Sequence, residues 1–165
     1  MDDTSFKELT VLVAKDSDYY RRLIVTNLKA MGVGTTEEAG NGRDAFEVQQ
    51  VRSIDIALVD WAMEHMDGLE LTRKIRRDPG SADRELPIIM ITAHTDEERV
   101  FAARDAGVTE ILTKPITAER LYSRMYSVVM HPRPFVDGES YAGPDRRRSG
   151  RSSYDGPERR QGEQG

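Results

Sequence analysis

Five residues stand at the ends of four apolar runs and carry side chains suited to phosphoryl chemistry. Lys15 and Asp16 follow Val11-Leu12-Val13-Ala14, and Asp60 closes Ala57-Leu58-Val59. Thr92 closes Met90-Ile91, and Lys114 follows Thr113 and precedes Pro115. One carboxylate flanked by another acid, a hydroxyl and a lysine is the equipment for accepting a phosphoryl group. Asp60 would attack in line, Thr92 and Lys114 would hold the phosphoryl oxygens, and Mg2+ on the acids would offset the remaining charge. Taken singly, each has an ordinary alternative: an Asp at a strand end is often a cap, and a Lys is often a solvated charge. The joint pattern carries the reading.

The elements that must position them can be read from periodicity. Strand-like runs cover 9–14, a weaker 34–38, 54–60, 86–92 and 110–113. Amphipathic helical stretches fall between and after them, at 17–31, 41–52, 67–77, 95–106 and 117–130. Ser17 and Thr95 are expected N-caps, and Thr117 with Arg120 and Leu121 reads as the start of the last helix. This alternation predicts an α/β fold, a doubly wound five-stranded parallel sheet with helices on both faces. In such folds chemistry sits beyond the carboxyl ends of the strands, where the five residues lie.

Composition sets the boundaries. The 165 residues suit one domain plus an extension, and the absence of cysteine excludes disulfides, a Cys-ligated zinc and a thiol nucleophile. No apolar run is long enough to span a bilayer and no signal peptide begins the chain, so a soluble, cytoplasmic protein without membrane insertion is expected. The formal charge of −5 divides into −6 over residues 1–130 and +1 over 131–165. All seven cations of that second part are arginine. Beyond His131 the large aliphatic residues nearly vanish, while four of seven prolines and six of thirteen glycines appear. A domain over 1–130 is therefore expected, followed by an extension over 131–165 that is disordered unless a ligand orders it.

The four strand-end segments, together with Met66-Asp67-Gly68-Leu69-Glu70, resemble a CheY-like receiver domain of bacterial response regulators over about residues 8–130. The resemblance implies a flavodoxin-like fold and makes Asp60 the phosphoacceptor position. It also makes Thr92 the switch hydroxyl and Lys114 the strand-five lysine, with a cis bond to Pro115. Trp61, Met63 and Met66 read as packing around the site loop.

The chain departs from that family at telling positions. Two adjacent acids usually follow the first strand; here the first is Lys15 and only Asp16 remains. The usual three carboxylates and one lysine sum to −2, whereas Asp16, Asp60, Lys15 and Lys114 sum to zero before any metal binds. An ammonium about 4 Å from a metal position opposes it by at most about 4 kcal/mol at an effective dielectric near 20. Weak or no Mg2+ binding and slow phosphorylation of Asp60 are the expectation. Glu64 replaces a frequent proline, Ala62 stands two past Asp60, and Ile111 stands where many receivers place a switching aromatic.

The extension repeats a word. Ser140-Tyr141-Ala142-Gly143-Pro144-Asp145-Arg146-Arg147 matches Ser153-Tyr154-Asp155-Gly156-Pro157-Glu158-Arg159-Arg160, thirteen residues on, with Arg148-Ser149-Gly150-Arg151-Ser152 between. Guanidinium forks hold phosphate and read the O6/N7 edge of guanine. An acid accepts from guanine N1 and N2, and tyrosine and arginine planes stack on bases. A ligand joining guanines and phosphates would use all of these. Nonspecific nucleic acid is disfavoured because 144–160 carries only +3, and a plain solvated linker has no reason to repeat a word.

A receiver followed by such an extension resembles the Cle group of CheY-like regulators, which bind cyclic di-GMP through it and act on the flagellar motor switch. That resemblance assigns ligand contacts to Arg147, Arg148, Arg151, Ser153, Tyr154, Asp155, Gly156, Pro157, Arg159 and Arg160, with a second copy at Tyr141, Asp145 and Arg146. It implies a non-enzymatic signalling protein recruited to the flagellar pole, whose partner face lies near 95–130. The alternative is a conventional receiver phosphorylated on Asp60 by a histidine kinase, the extension being a tether.

Overall fold

Along β1 (Thr10–Ala14) side chains alternate across the sheet, Val11 and Val13 to one face, Leu12 and Ala14 to the other. β3 (Ile56–Asp60) and β4 (Ile88–Thr92) are buried along their whole length, as strands covered on both faces must be. The computed structural model describes residues 4–146. With β2 (Thr35–Ala39) and β5 (Glu110–Thr113) it forms one parallel sheet in the order β2-β1-β3-β4-β5. The expected doubly wound α/β fold is the observed one.

Helices α1 (Thr4–Lys7), α2 (Asp18–Ala30) and α6 (Ala118–Met130) cover one face, packing Phe6, Leu28, Leu121 and Met125 against Val11, Val13, Leu58 and Ile89. The other face takes α3 (Gly42–Val51), α4 (Gly68–Arg77) and α5 (Glu97–Ala106), through Phe46, Leu71, Ile75 and Ala103. Ser17 caps as expected, accepting from the Tyr20 amide, and Thr117 starts α6 as its N-cap, accepting from the Arg120 amide. Thr95 does not: α5 is capped one residue later, at Asp96, whose side chain makes no cap bond. β4 starts at Ile88 rather than 86, because Pro87 has no N–H to give the ladder.

The larger correction concerns residues 132–146, the part of the extension that the structure describes, for which disorder without a ligand is the expectation. The chain instead forms an antiparallel ribbon, β6 (Phe135–Asp137) with β7 (Ala142–Pro144), in the register Phe135↔Pro144 and Asp137↔Ala142. The Gly138 amide donates to the Tyr141 carbonyl at 2.8 Å and the Asp145 amide to the Pro134 carbonyl at 2.7 Å. The ribbon is ordered by what it lies on. Arg76 of α4, 1% exposed, donates to the carbonyls of Gly107 (2.7 and 3.0 Å), Arg84 (2.7 Å) and Leu86 (2.7 Å). The Phe135 ring covers the guanidinium at 5.5 Å. Gly107, at φ 106°, ends α5, and a Cβ there would meet the Ala142 carbonyl at 2.6 Å. Backbone packs on backbone at this contact.

Burial lowers the Arg76 pKa to about 10, with Tyr141, Asp83 and Glu85 opposing the shift, so it stays charged at neutral pH. Arg76→Met keeps the volume but leaves three buried carbonyls short of a donor. It is expected to cost about 3 kcal/mol, read from the urea midpoint; a loss below about 1 kcal/mol would show that the guanidinium does not hold these segments.

Candidate functional site

Parallel strands deliver their last residues to one edge, and here that edge gathers the chemistry. Asp60 ends β3 and is 1% exposed; Thr92 ends β4 and is also buried. Lys15 and Asp16 follow β1, and Lys114 follows β5 through a cis bond to Pro115. The loops are tied across strands, the Lys15 amide to the Ala39 carbonyl, the Trp61 amide to Ile91 and the Lys114 amide to Thr92.

The Asp60 carboxylate lies between two ammonium groups. Lys15 Nζ donates to Oδ2 at 2.9 Å and stands 3.6 Å from an Asp16 carboxylate oxygen. Lys114 Nζ lies 3.0 Å from Oδ1 but off the hydrogen-bonding direction, so Oδ1 has an ion-pair partner without a directed bond. Both lysines thus reach the acceptor position expected from the sequence. Thr92 is close by on the neighbouring strand, yet its hydroxyl is folded onto its own loop. It accepts from the His94 amide at 3.0 Å and donates to the His94 carbonyl at 3.2 Å.

One supporting residue was not anticipated. Arg21, one turn into α2, donates to the Lys15 carbonyl at 2.7 Å and to Glu38 at 2.9 Å, and pairs with Asp18. It holds the loop from which Lys15 points at Asp60. The i,i+3 spacing of Asp18 and Arg21 was visible, but its reach to Glu38 on β2 was not. On the opposite side of Asp60, the loop that follows β3 carries His65 and Met66 at φ 51° and 87°. Their carbonyls accept from the amides of Arg43 and Gly42, which anchors this unusual turn to the start of α3. Arg99 lies over the Trp61 ring at 5.7 Å.

The model of the response regulator receiver domain matches residues 11–126. The chain belongs to the response regulator receiver family. Chemotaxis protein CheY-3 of Vibrio cholerae is 32% identical over 119 residues, spanning 72% of this chain and 90% of that one. CheY1 of Helicobacter pylori is 34% identical over 122 residues, 73% and 97% of the two chains. The solved structure of V. cholerae CheY4 superposes with a TM-score of 0.67 at 28% identity, covering 73% and 98%. The ribbon and the repeated word lie beyond the receiver match.

Receivers are expected to hold a divalent cation on their acids. This donor set fits one poorly. Lys15 supplies an ammonium between Asp16 and Asp60, and no group of three or more His, Asp or Glu suited to a metal gathers among the described residues.

Of the extension, Tyr141, Asp145 and Arg146 are in place. Tyr141 is buried, its hydroxyl donating to the Pro144 carbonyl at 2.7 Å, with the Arg146 guanidinium 4.0 Å over its ring and 3.3 Å from Asp105. Burial raises the Tyr141 pKa, against the pull of Arg146, Arg76 and Arg133. Arg147, Arg148, Arg151, Ser153, Tyr154, Asp155, Gly156, Pro157, Arg159 and Arg160 lie outside the described residues.

Because both lysines answer to Asp60, the sign of one substitution follows. Asp60→Asn removes the charge that holds them and is expected to destabilise the receiver by about 2 kcal/mol in chemical denaturation. A stabilised Asp60→Asn chain would mean that acid repulsion, not the lysine clamp, governs the site.

Proposed function

We propose that the chain is a non-enzymatic signalling protein that binds cyclic di-GMP through its arginine-rich segment and relays this to a protein partner, the flagellar motor switch. The observation that carries the reading is the fold of the repeated word where it can be seen. Five residues apart in sequence, Tyr141 and Arg146 meet with the guanidinium carbon 4.0 Å over the ring, across a Gly-Pro turn closed by the tyrosine hydroxyl. A tyrosine ring and a guanidinium brought together in this way offer an outer face on which a flat guanine can stack, and the neighbouring arginines suit its phosphates. Tyr154 and Arg159 have the same spacing across Gly156-Pro157. The contacts then fall to Arg147, Arg148, Arg151, Ser153 to Pro157, Arg159 and Arg160.

The chemotaxis proteins among its relatives support a motor-switch partner, and recruitment to the flagellar pole follows from it. In this reading the partner face is formed by α5, β5 and α6, where Phe101 stands 67% exposed. The alternative, phosphorylation of Asp60 by a histidine kinase, meets a carboxylate already engaged by Lys15 and Lys114. Mg2+ binding is accordingly weak in the proposed protein.

Two measurements separate these readings. Calorimetry with cyclic di-GMP should lose its signal when residues 147–165 are removed, and Arg147→Ala, Arg151→Ala or Arg160→Ala should each weaken binding several-fold. Binding untouched by the truncation would refute the segment as the ligand site. Separately, Lys15→Asp is expected to tighten Mg2+ binding at least tenfold, followed by Trp61 fluorescence; a wild-type chain that responds to Mg2+ as strongly as this variant would count against the clamp.

A further inference from the structure

Helix α5 is weakly seated along its length. It buries only Ala103 and Ala106, where α4 buries Leu71 and Ile75 and α3 buries Phe46. Two methyl groups remove little apolar surface from water, so they hold a helix loosely against its neighbours. Its N-cap residue, Asp96, makes no cap bond, so no side chain of that residue fastens the first turn. What fixes α5 therefore lies at its ends. Near the start, Arg99 lies over the Trp61 ring at 5.7 Å. At the finish, the amides of Gly107 and Val108 donate to the carbonyls of Arg104 and Ala103, each at 3.0 Å, and close the helix through the left-handed Gly107.

That closing residue is gripped from two sides. Arg76 donates twice to the Gly107 carbonyl, and the ribbon lies against the Gly107 backbone. A Cβ at Gly143 would stand 2.7 Å from the Gly107 Cα, so the two glycines meet with no side chain between them to absorb a displacement. Two ion pairs flank the contact. Arg146 reaches Asp105 in the last turn of α5 at 3.3 Å, and Arg133 reaches Glu110 at the first residue of β5 at 3.4 Å. The Arg146 pair is half exposed and adds little alone; the Arg133 pair is more enclosed. The ribbon and its flanking residues thus hold the end of α5, the turn that follows and the start of β5 together.

We infer that the ribbon is a strap that fixes the C-terminal end of α5, so that a docked ribbon holds this helix and an undocked one loosens it. Undocking leaves the receiver folded, because Arg76 keeps its donations to Gly107, Arg84 and Leu86 and gains only water where the Phe135 ring had been. It also leaves the Asp60 clamp in place. The start of β5 and the end of β3 lie at opposite edges of a parallel sheet. Phe101, exposed on α5, travels with the helix, so the strap governs how firmly the partner face is presented. That last step rests on the motor-switch reading; the strap itself does not.

Hydrogen exchange at single amides of the full-length chain tests the strap, with Gly143→Ala and Phe135→Ala combined. The first sets a methyl group against Gly107 and the second removes the ring over Arg76; both changes lie outside the receiver core. Exchange at Gly138 and Asp145 is expected to speed at least tenfold and at Gly107 and Val108 at least fivefold, while Leu12 and Leu58 keep their native rates. Ala142→Asp, which drives a carboxylate into the same contact, should give the same pattern. Ribbon amides released while Gly107 and Val108 stay protected overturn the inference. So does a ribbon unmoved by either variant, or an acceleration shared equally by Leu12 and Leu58. Calorimetry with the motor switch protein reads the consequence: the double variant should bind at least threefold more weakly, since a loosened α5 must be ordered again on binding. Equal affinity would overturn control of the partner face. No binding by the native chain would sink the partner reading, while the exchange rates would still decide the strap.

Discussion

A charge taken out of water has to be compensated from within the chain, and this constraint organises both ends of the molecule. Asp60 and Arg76 are each 1% exposed, the first at the end of β3 and the second on α4. Asp60 is compensated by two ammonium groups, one arriving after β1 and one after β5. Arg76 is compensated by carbonyls of three residues and by the face of Phe135. The first arrangement makes the strand-end site electrically complete. The second ties α4, the loop before β4 and the end of α5 together, and gives the ribbon a seat.

These two solutions bear on each other in the proposed function. In that proposal the acceptor carboxylate held by Lys15 and Lys114 leaves the signal to enter through the extension. The ribbon seats the first copy of the repeated word on the Arg76 and Gly107 surface.

Much of the fold was legible because it obeys local periods. Val11 to Ala14 and Ile88 to Thr92 read as strands from apolar content and length alone. β2 was faint because it is an edge strand of Thr35, Thr36, Glu37 and Glu38, with little to bury. The single turn of α1 offered no period at all, and only its contact shows why it forms: Phe6 packs edge-on against Tyr122 at 5.5 Å. The ribbon was hidden for a related reason. Its own apolar residues are few, and its order comes from Arg76, Arg84 and Gly107, which lie dozens of residues upstream.

By itself, then, the amino-acid sequence determined which residues reach the carboxyl edge of the sheet, that their charges sum to zero, and that the extension repeats an arginine-rich word. Strand order and side-chain type suffice for those, since a parallel sheet must present its strand ends together. Tertiary structure decided where the charges point. It turned Lys15 onto Asp60 rather than into solvent, folded the Thr92 hydroxyl back onto His94, and seated one copy of the word on a buried guanidinium. Those outcomes depend on complementarity between segments far apart in the chain, which no local pattern encodes.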